Sequence, residues 1–265
     1  MRPARQTRPP PGDRLAAMDL NADMGESFGA WRMGDDAALL AVVTSASIAC
    51  GFHGGDPRVM RRAASAAHAA SVVVGAHVSY PDLVGFGRRA MDATPEEVET
   101  DVLYQIGALH ALARASGGSV RYVKPHGALY HAVASDLAVA TALVGAVVAF
   151  GEPLVLLGPP GSVGAEVARA LGVRAAVEGF ADRRYRGDGT LVPRREAGSV
   201  LHGEDEVVSQ ARALAAGFVP TAGGATIRLD CDSICLHSDT PGAVELARAV
   251  RRALEADGVA LQSFA

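Results

Sequence analysis

Seven times along this chain, a short β-branched or apolar run leads into a polar turn and then an Ala-rich stretch of helical period. The runs read as strands at 18–21, 46–50, 72–76, 120–123, 154–157, 175–177 and 233–236. The stretches read as helices at 35–44, 58–70, 95–116, 136–149, 162–171, 204–216 and 243–256. Start signals support them. Thr94-Pro95-Glu96-Glu97 offers a cap, a proline at the first helical position and two acids in the first turn. Ser135-Asp136 and Thr240-Pro241 are similar. Strict alternation of this kind predicts an α/β fold with a parallel sheet and right-handed crossovers. The sheet is either open or closed into a barrel. A chain of 265 residues is ordinary for one closed barrel. No G-x-G-x-x-G follows the first strand, which weakens the open dinucleotide-binding version.

The residues after each strand decide between the two, because active sites of parallel α/β folds lie beyond the carboxyl ends of the strands. The first strand leads into Asn21-Ala-Asp23-Met-Gly-Glu26 and the second into Gly51-Phe-His53-Gly54-Gly55-Asp56. The third gives His77 and then Asp82, Arg88 and Arg89. The fourth gives Lys124-Pro125-His126, and the sixth Glu178, Asp182, Arg183, Arg184 and Tyr185. The seventh gives His237-Ser-Asp239, whereas the fifth gives only Gly158-Pro-Pro-Gly161. Six of the seven ends carry ionisable groups, which converge on one mouth only if the sheet is closed.

Asp23 is a candidate general acid/base or metal ligand, in what reads as a Gly-containing turn. If a metal is held, Asp23, His53 and His77 are its candidate ligands. His68, His110, His131 and His202 fall on helices or in a loop and read as structural or solvent-facing. Gly54-Gly55 and Gly158–Gly161 would let backbone approach a ligand closely, but no phosphate-binding G-x-x-x-x-G-K-[ST] is present.

Composition enters at one position above all. Of 25 Lys and Arg residues only Lys124 is a lysine. A chain this biased toward arginine keeps a lysine where a compact ammonium with an adjustable pKa is needed. Pro125 stiffens the turn so that Lys124 and His126 leave the strand end in set directions. Lys124 suits an oxyanion, carboxylate or phosphate, and His126 suits proton transfer near neutral pH.

A net charge of −4 gives no electrostatic case for nucleic acid. Apolar runs such as 137–150 are too short to span a bilayer, so no membrane segment is expected. Cys50, Cys231 and Cys235 are odd in number and lack a framework, which points to packing roles and a reducing, cytoplasmic setting. Residues 1–17, rich in Arg and Pro, read as a disordered extension before a barrel domain at 18–265.

Taken in order, a set of motifs resembles a known family. They are Asp19-Leu-Asn-Ala-Asp-Met-Gly-Glu26, Ile48-Ala-Cys-Gly-Phe-His-Gly-Gly-Asp-Pro57, Gly75-Ala-His77, Tyr104-Gln-Ile-Gly-Ala-Leu109, Val123-Lys-Pro-His-Gly-Ala-Leu-Tyr130, Phe180-Ala-Asp-Arg-Arg-Tyr185 and Cys235-Leu-His-Ser-Asp239. Together they resemble the lactam-utilisation family, the A subunits of 5-oxoprolinase. Ser47 stands where that family usually has Asn, and Ser238 where it usually has Gly. The resemblance implies a single distorted seven-stranded (β/α) barrel, similar to deacetylases and glycoside hydrolases. It implies cleavage of 5-oxo-L-proline to L-glutamate coupled to ATP hydrolysis, together with partner subunits B and C. A homo-oligomer is left open.

A five-membered lactam is a stabilised amide with a poor electrophilic carbonyl, and phosphorylation of its oxygen would activate it. No nucleotide motif is recognisable here, so the partners are expected to phosphorylate and this chain to handle the activated lactam. In that scheme Asp23 activates water, and Lys124 and His126 steady the anion. Arg88 or Arg183 grips the substrate carboxylate. Asn21, Glu26, His53, His77, Asp182, His237 and Asp239 complete the substrate site. Divalent magnesium with ATP, or an ion at the barrel mouth, would be the cofactor. Two other readings remain, a metal-dependent deacetylase or amidohydrolase without ATP and a non-catalytic lactam-binding subunit.

Overall fold

The structure, a computed structural model, describes residues 17–265. The expected N-terminal extension, 1–17, lies outside the described residues except for Ala17. Seven strands close a parallel barrel: β1 (Asp19–Met24), β2 (Ser45–Ala49), β3 (Val73–Val78), β4 (Val120–Pro125), β5 (Val155–Gly158), β6 (Ala175–Phe180) and β9 (Ser233–Leu236). β9 pairs with both β6 and β1, so the last strand closes the ring. The expected closed (β/α) barrel is therefore the fold.

The helices around it are α1 (Asp36–Leu40), α2 (Pro57–Ala69), α3 (Pro95–Ala115), α4 (Gly127–Ser135), α5 (Leu137–Phe150), α6 (Val163–Ala170), α7 (Glu204–Ala215) and α8 (Ala243–Ala256). A short antiparallel hairpin, β7 (Phe218–Pro220) with β8 (Thr226–Arg228), interrupts the alternation before β9. The α3 start is a full capping box between Thr94 and Glu97. Asp136 caps α5 through the amides of Ala138 and Val139. Thr240 does not cap α8, which begins after Gly242, and its hydroxyl donates to Asp182 instead. Among the described residues no single helix is long and apolar enough to cross a membrane. The apolar α5 has most of one face buried against the body of the fold.

The barrel interior has two unlike halves. On one side Tyr122, Val155, Leu157 and Ala176 form an apolar packing, closed at the amino ends of the strands by Phe264. Tyr122 reaches across to Gly75, where an added Cβ would overlap its ring, and meets the Ser47 hydroxyl at 3.0 Å. On the other side a polar chain climbs from Asp19. Asp19 accepts from Thr44 (2.6 Å), Ser45 (2.8 Å) and Ser233. Asn21 then donates to Ser233 at 2.7 Å and to Glu178 at 3.0 Å.

Asp19, Asn21 and Asp23 thus occupy successive inward positions of β1, with Leu20, Ala22 and Met24 between them in the outer core. The expectation that Asp23 sits in a turn is overturned. β1 runs on to Met24, its pattern inverted because this half of the interior is polar.

Candidate active site

At the carboxyl ends of the strands a cavity of about 510 Å³ opens over the polar chain. Asp23, His77, Arg88, Lys124, His126, Arg183 and His237 line it. Asn21 lies one layer below, within the barrel, and Asp182 stands behind His237. A second cavity, also about 510 Å³, is lined by Glu26, His53, Arg88 and Asp239 with Phe28, Trp31 and Phe86. Of the strand-end residues, Asp56, Asp82, Arg89 and Arg184 line neither cavity: Asp56 caps α2, Arg89 pairs with Asp82 and Arg184 with Glu206.

Lys124 is 2% exposed and surrounded by acceptors. Its ammonium donates to Asp23 (2.8 Å), the Cys235 sulfur (3.2 Å) and Asn21 (3.4 Å) and forms an ion pair with Glu178 at 2.8 Å. Burial works against its charge, but Asp23, Cys235 and Glu178 overcome burial and hold it well above the ordinary lysine value. Lys124 is thus a fixed cation rather than an amine of adjustable pKa. Burial would likewise raise Asp23, yet His77 and Lys124 hold it well below the usual carboxylate range. An acid held so firmly ionised is a weak base.

The four residues Glu26, His53, His77 and His126 form a second, separate group, all buried. Burial lowers His53 to about 3 and pushes His126 well below the ordinary histidine value, so both rings are neutral. Burial and the neighbouring Asp23 charge raise Glu26 to about 7. The His53 and His126 rings stack at 3.8 Å. His126 directs one nitrogen to the Phe86 carbonyl and turns the other to His77, so it has no free donor for a substrate anion. This buried His/Glu group can hold a metal ion. It differs from the expected Asp23, His53 and His77 set: Asp23 is turned to Lys124, and Glu26 and His126 join in its place.

His237 and Asp182 make a dyad. The Asp182 carboxylate accepts from the His237 ring Nδ1 at 2.9–3.0 Å, from the His237 amide at 3.2 Å and from the Thr240 hydroxyl at 3.2 Å. Burial opposes the Asp182 charge, but His237 keeps it below the ordinary aspartate value. Phe180 stacks on the ring at 5.2 Å. Of the two arginine candidates, Arg183 donates to the Ser199 and Val192 carbonyls and is buried, while Arg88 reaches the mouth and pairs with Asp239 at 2.6 Å. Arg194, 3.8 Å from Asp239, and Arg195 extend this cationic wall.

Known proteins share this frame. Residues 18–265 match the model of the LamB/YcsF family. The chain belongs to that family. It is 53% identical to a protein named as the A subunit (copy 3) of 5-oxoprolinase from Pseudomonas syringae pv. tomato, over 95% of this chain and 98% of that one. It is 53% identical to the 5-oxoprolinase A subunit from Kocuria rhizophila, over 95% of this chain and 100% of the other. The crystal structure of the lactam utilization protein from Thermus thermophilus superposes with a TM-score of 0.88 at 46% identity, covering 94% of this chain and 100% of that one.

Both departures from the family pattern have work in this LamB/YcsF chain. Ser238 donates to Glu26 at 3.2 Å, and Ser47 meets Tyr122. Three groups at the site are not assigned to it by sequence reasoning. Glu178 stands beyond the sixth strand when that strand is ended at Val177. The strand in fact runs to Phe180, and the shared parity of Glu178 and Phe180 is the signal that turns both inward. Cys235 and Tyr130, whose buried hydroxyl has no hydrogen-bond partner, fall in the family motifs but are given no role at the site from sequence. His131, expected to be structural or solvent-facing, is exposed and also borders the cavity. Gly54 and Gly55 serve the protein's own backbone rather than a ligand: added Cβ atoms would lie 2.7 Å from the Glu26 oxygen and 2.6 Å from the Ala49 oxygen.

Proposed function

We propose that this chain is the lactam-handling subunit of an ATP-dependent 5-oxoprolinase, acting in the cytoplasm with partner subunits B and C. The reaction is cleavage of 5-oxo-L-proline to L-glutamate with hydrolysis of ATP to ADP and phosphate. The observation that carries this reading is the juxtaposition, in one cavity, of a fixed cation, a carboxylate-oriented imidazole and an arginine wall. The names of the relatives supply the substrate class.

Each step asks for a group that is present. Water must add to the ring carbonyl carbon, so a base must take its proton. The ring C–N bond must then break, so an acid must protonate the departing nitrogen. His237, held in one tautomer by Asp182, suits both transfers. This moves proton transfer from Asp23, whose charge is neutralised by Lys124, to His237. Asp23 and Lys124 instead form a fixed dipole under the reacting carbon. The ammonium stabilises negative charge on the carbonyl oxygen or on a phosphoryl group placed there by a partner; in the phosphorylated case C–N cleavage leaves γ-glutamyl phosphate, and a second water releases phosphate to give glutamate. Arg88 and Arg194 suit the substrate carboxylate, exchanging it for Asp239. An ion bound by Glu26, His53, His77 and His126 would add Lewis acidity beside the cavity. Residues 18–265 are read as the working domain.

The test is an oxoproline-dependent ATPase assay on this chain with and without subunits B and C. Turnover is expected only in the assembled set. Hydrolysis of oxoproline with ATP by this chain alone would break the division of labour. In the assembled set His237→Gln is expected to lower turnover about 10²–10⁴-fold. Full activity in that variant would remove the dyad from the chemistry.

A further inference from the structure

The rings of His77 and His126 are each pinned at one nitrogen by a main-chain carbonyl. His77 Nδ1 lies 3.0 Å from the Lys124 oxygen, and His126 Nε2 lies 2.8 Å from the Phe86 oxygen. A carbonyl only accepts, so both of these nitrogens carry the proton. The remaining nitrogens, His77 Nε2 and His126 Nδ1, are the ones left to take a ligand. These two nitrogens face each other at 3.0 Å.

Their other neighbours are carboxyl oxygens. Asp23 Oδ1 is 3.4 Å from His77 Nε2, and Glu26 Oε1 is 3.9 Å from His126 Nδ1. The third ring, His53, has no hydrogen-bond partner at either nitrogen and is 1% exposed. Its Nε2 lies 3.3 Å from Glu26 Oε1. The second Glu26 oxygen accepts from Ser238, which leaves Oε1 for the imidazoles. Three imidazole nitrogens and one carboxyl oxygen thus converge on one point.

We infer that Glu26, His53, His77 and His126 bind one divalent transition-metal ion of the zinc class. The four ligand atoms already lie within 4.8 Å of one another. A tetrahedral ion with bonds of about 2.0–2.1 Å sets its ligand atoms roughly 3.3 Å apart, and the contacts above straddle that spacing. Three neutral imidazoles and one carboxylate select zinc-like ions over magnesium or calcium, which take oxygen shells. The two carbonyl pins are the outer hydrogen bonds that orient ligating histidines. Access is open, because the group forms the partition between the two cavities, with His77 and His126 facing one and Glu26 and His53 the other. Gly87 closes the back. Its φ is +64°, and an added Cβ would lie 2.8 Å from the His126 ring and 3.0 Å from the His53 Cβ.

The experiment uses the purified chain without lactam or nucleotide, so its failure is separable from failure of the oxoprolinase reading. The chain is stripped with a chelator, then titrated with Zn²⁺ by calorimetry and with Co²⁺ by visible absorption. One ion per chain is expected, with a Co²⁺ ligand-field band and no displacement by excess Mg²⁺. His53→Gln and His77→Gln are each expected to weaken Zn²⁺ binding by about 100-fold or more, with circular dichroism unchanged from the stripped parent. Gly87→Ala keeps every ligand and is expected to weaken binding, whereas Gly107→Ala, whose Cβ would meet nothing within 4 Å, leaves it unchanged. Absence of saturable one-to-one binding overturns the inference, as does binding unaltered in both histidine variants. A proton shared by His77 and His126, seen in imidazole ¹⁵N shifts of a chain that takes no Zn²⁺, also overturns it.

Discussion

The two polar groups on either side of Asp23 are equally buried and opposite in kind. Around Lys124 donors and acceptors are nearly matched: one ammonium meets Asp23, Glu178, Cys235 and Asn21, and Glu178 Oε2 and the Tyr130 hydroxyl are left without hydrogen-bond partners. Around His53 they are not, with both of its ring nitrogens without a hydrogen-bond partner. A saturated cluster holds a charge in place and contributes to the fold. An unsaturated one keeps binding capacity that a ligand can use. Burial alone does not tell them apart; counting donors against acceptors does.

The largest expected effect comes from breaking the saturated group. Lys124→Met strands Asp23 and Glu178 as unpaired buried acids, and denaturant melts should show a loss of about 3–5 kcal/mol. Adding Asp23→Asn should recover part of it, so strict additivity in that double-mutant cycle would show that the pair is not coupled.

Next in size is a pH effect at the foot of the same chain. Burial, only partly offset by three hydroxyl donors, raises Asp19 to about 6 from its ordinary 3.8. The folded state therefore holds this proton more tightly than the unfolded state. The stabilising contribution is complete below pH 3.8 and is lost as pH rises through about 6. Asp19→Asn should remove that slope, so identical stability–pH profiles for the two proteins between about pH 4 and 6 would refute it.

The smallest effect belongs to the unsaturated group. In the metal-free chain His53→Gln deletes no hydrogen bond and changes little volume, so its cost should stay below about 1.5 kcal/mol. A penalty as large as that of Lys124→Met would erase the distinction between the two groups.

Much of this is legible in the residues. The alternation implies the barrel because seven βα repeats leave few other ways to bury both faces of a parallel sheet. The mouth residues are found because they follow strands. What fails is the treatment of polar residues within strands. Asn21 and Asp23 are good turn formers, and that local preference outweighs the period-2 pattern of Asp19, Asn21 and Asp23. The hairpin β7–β8 is hard to see because each strand has only three residues around Ala222-Gly-Gly-Ala225. Helix α4 is hidden because His126, at its start, makes no side-chain cap. No pattern in one sequence could reveal that Lys124 faces Glu178, since only closure of the ring brings them together.

That closure also bears on how the protein folds. Ser233 on the last strand reaches Asp19 on the first, 214 positions away, and Asn21 meets Glu178 across 157. Loops of that length make such contacts slow to form. Until β9 docks between β6 and β1, the acids of the inner chain remain hydrated. Closing the ring and burying the polar floor beneath the cavity therefore depend on the same strand.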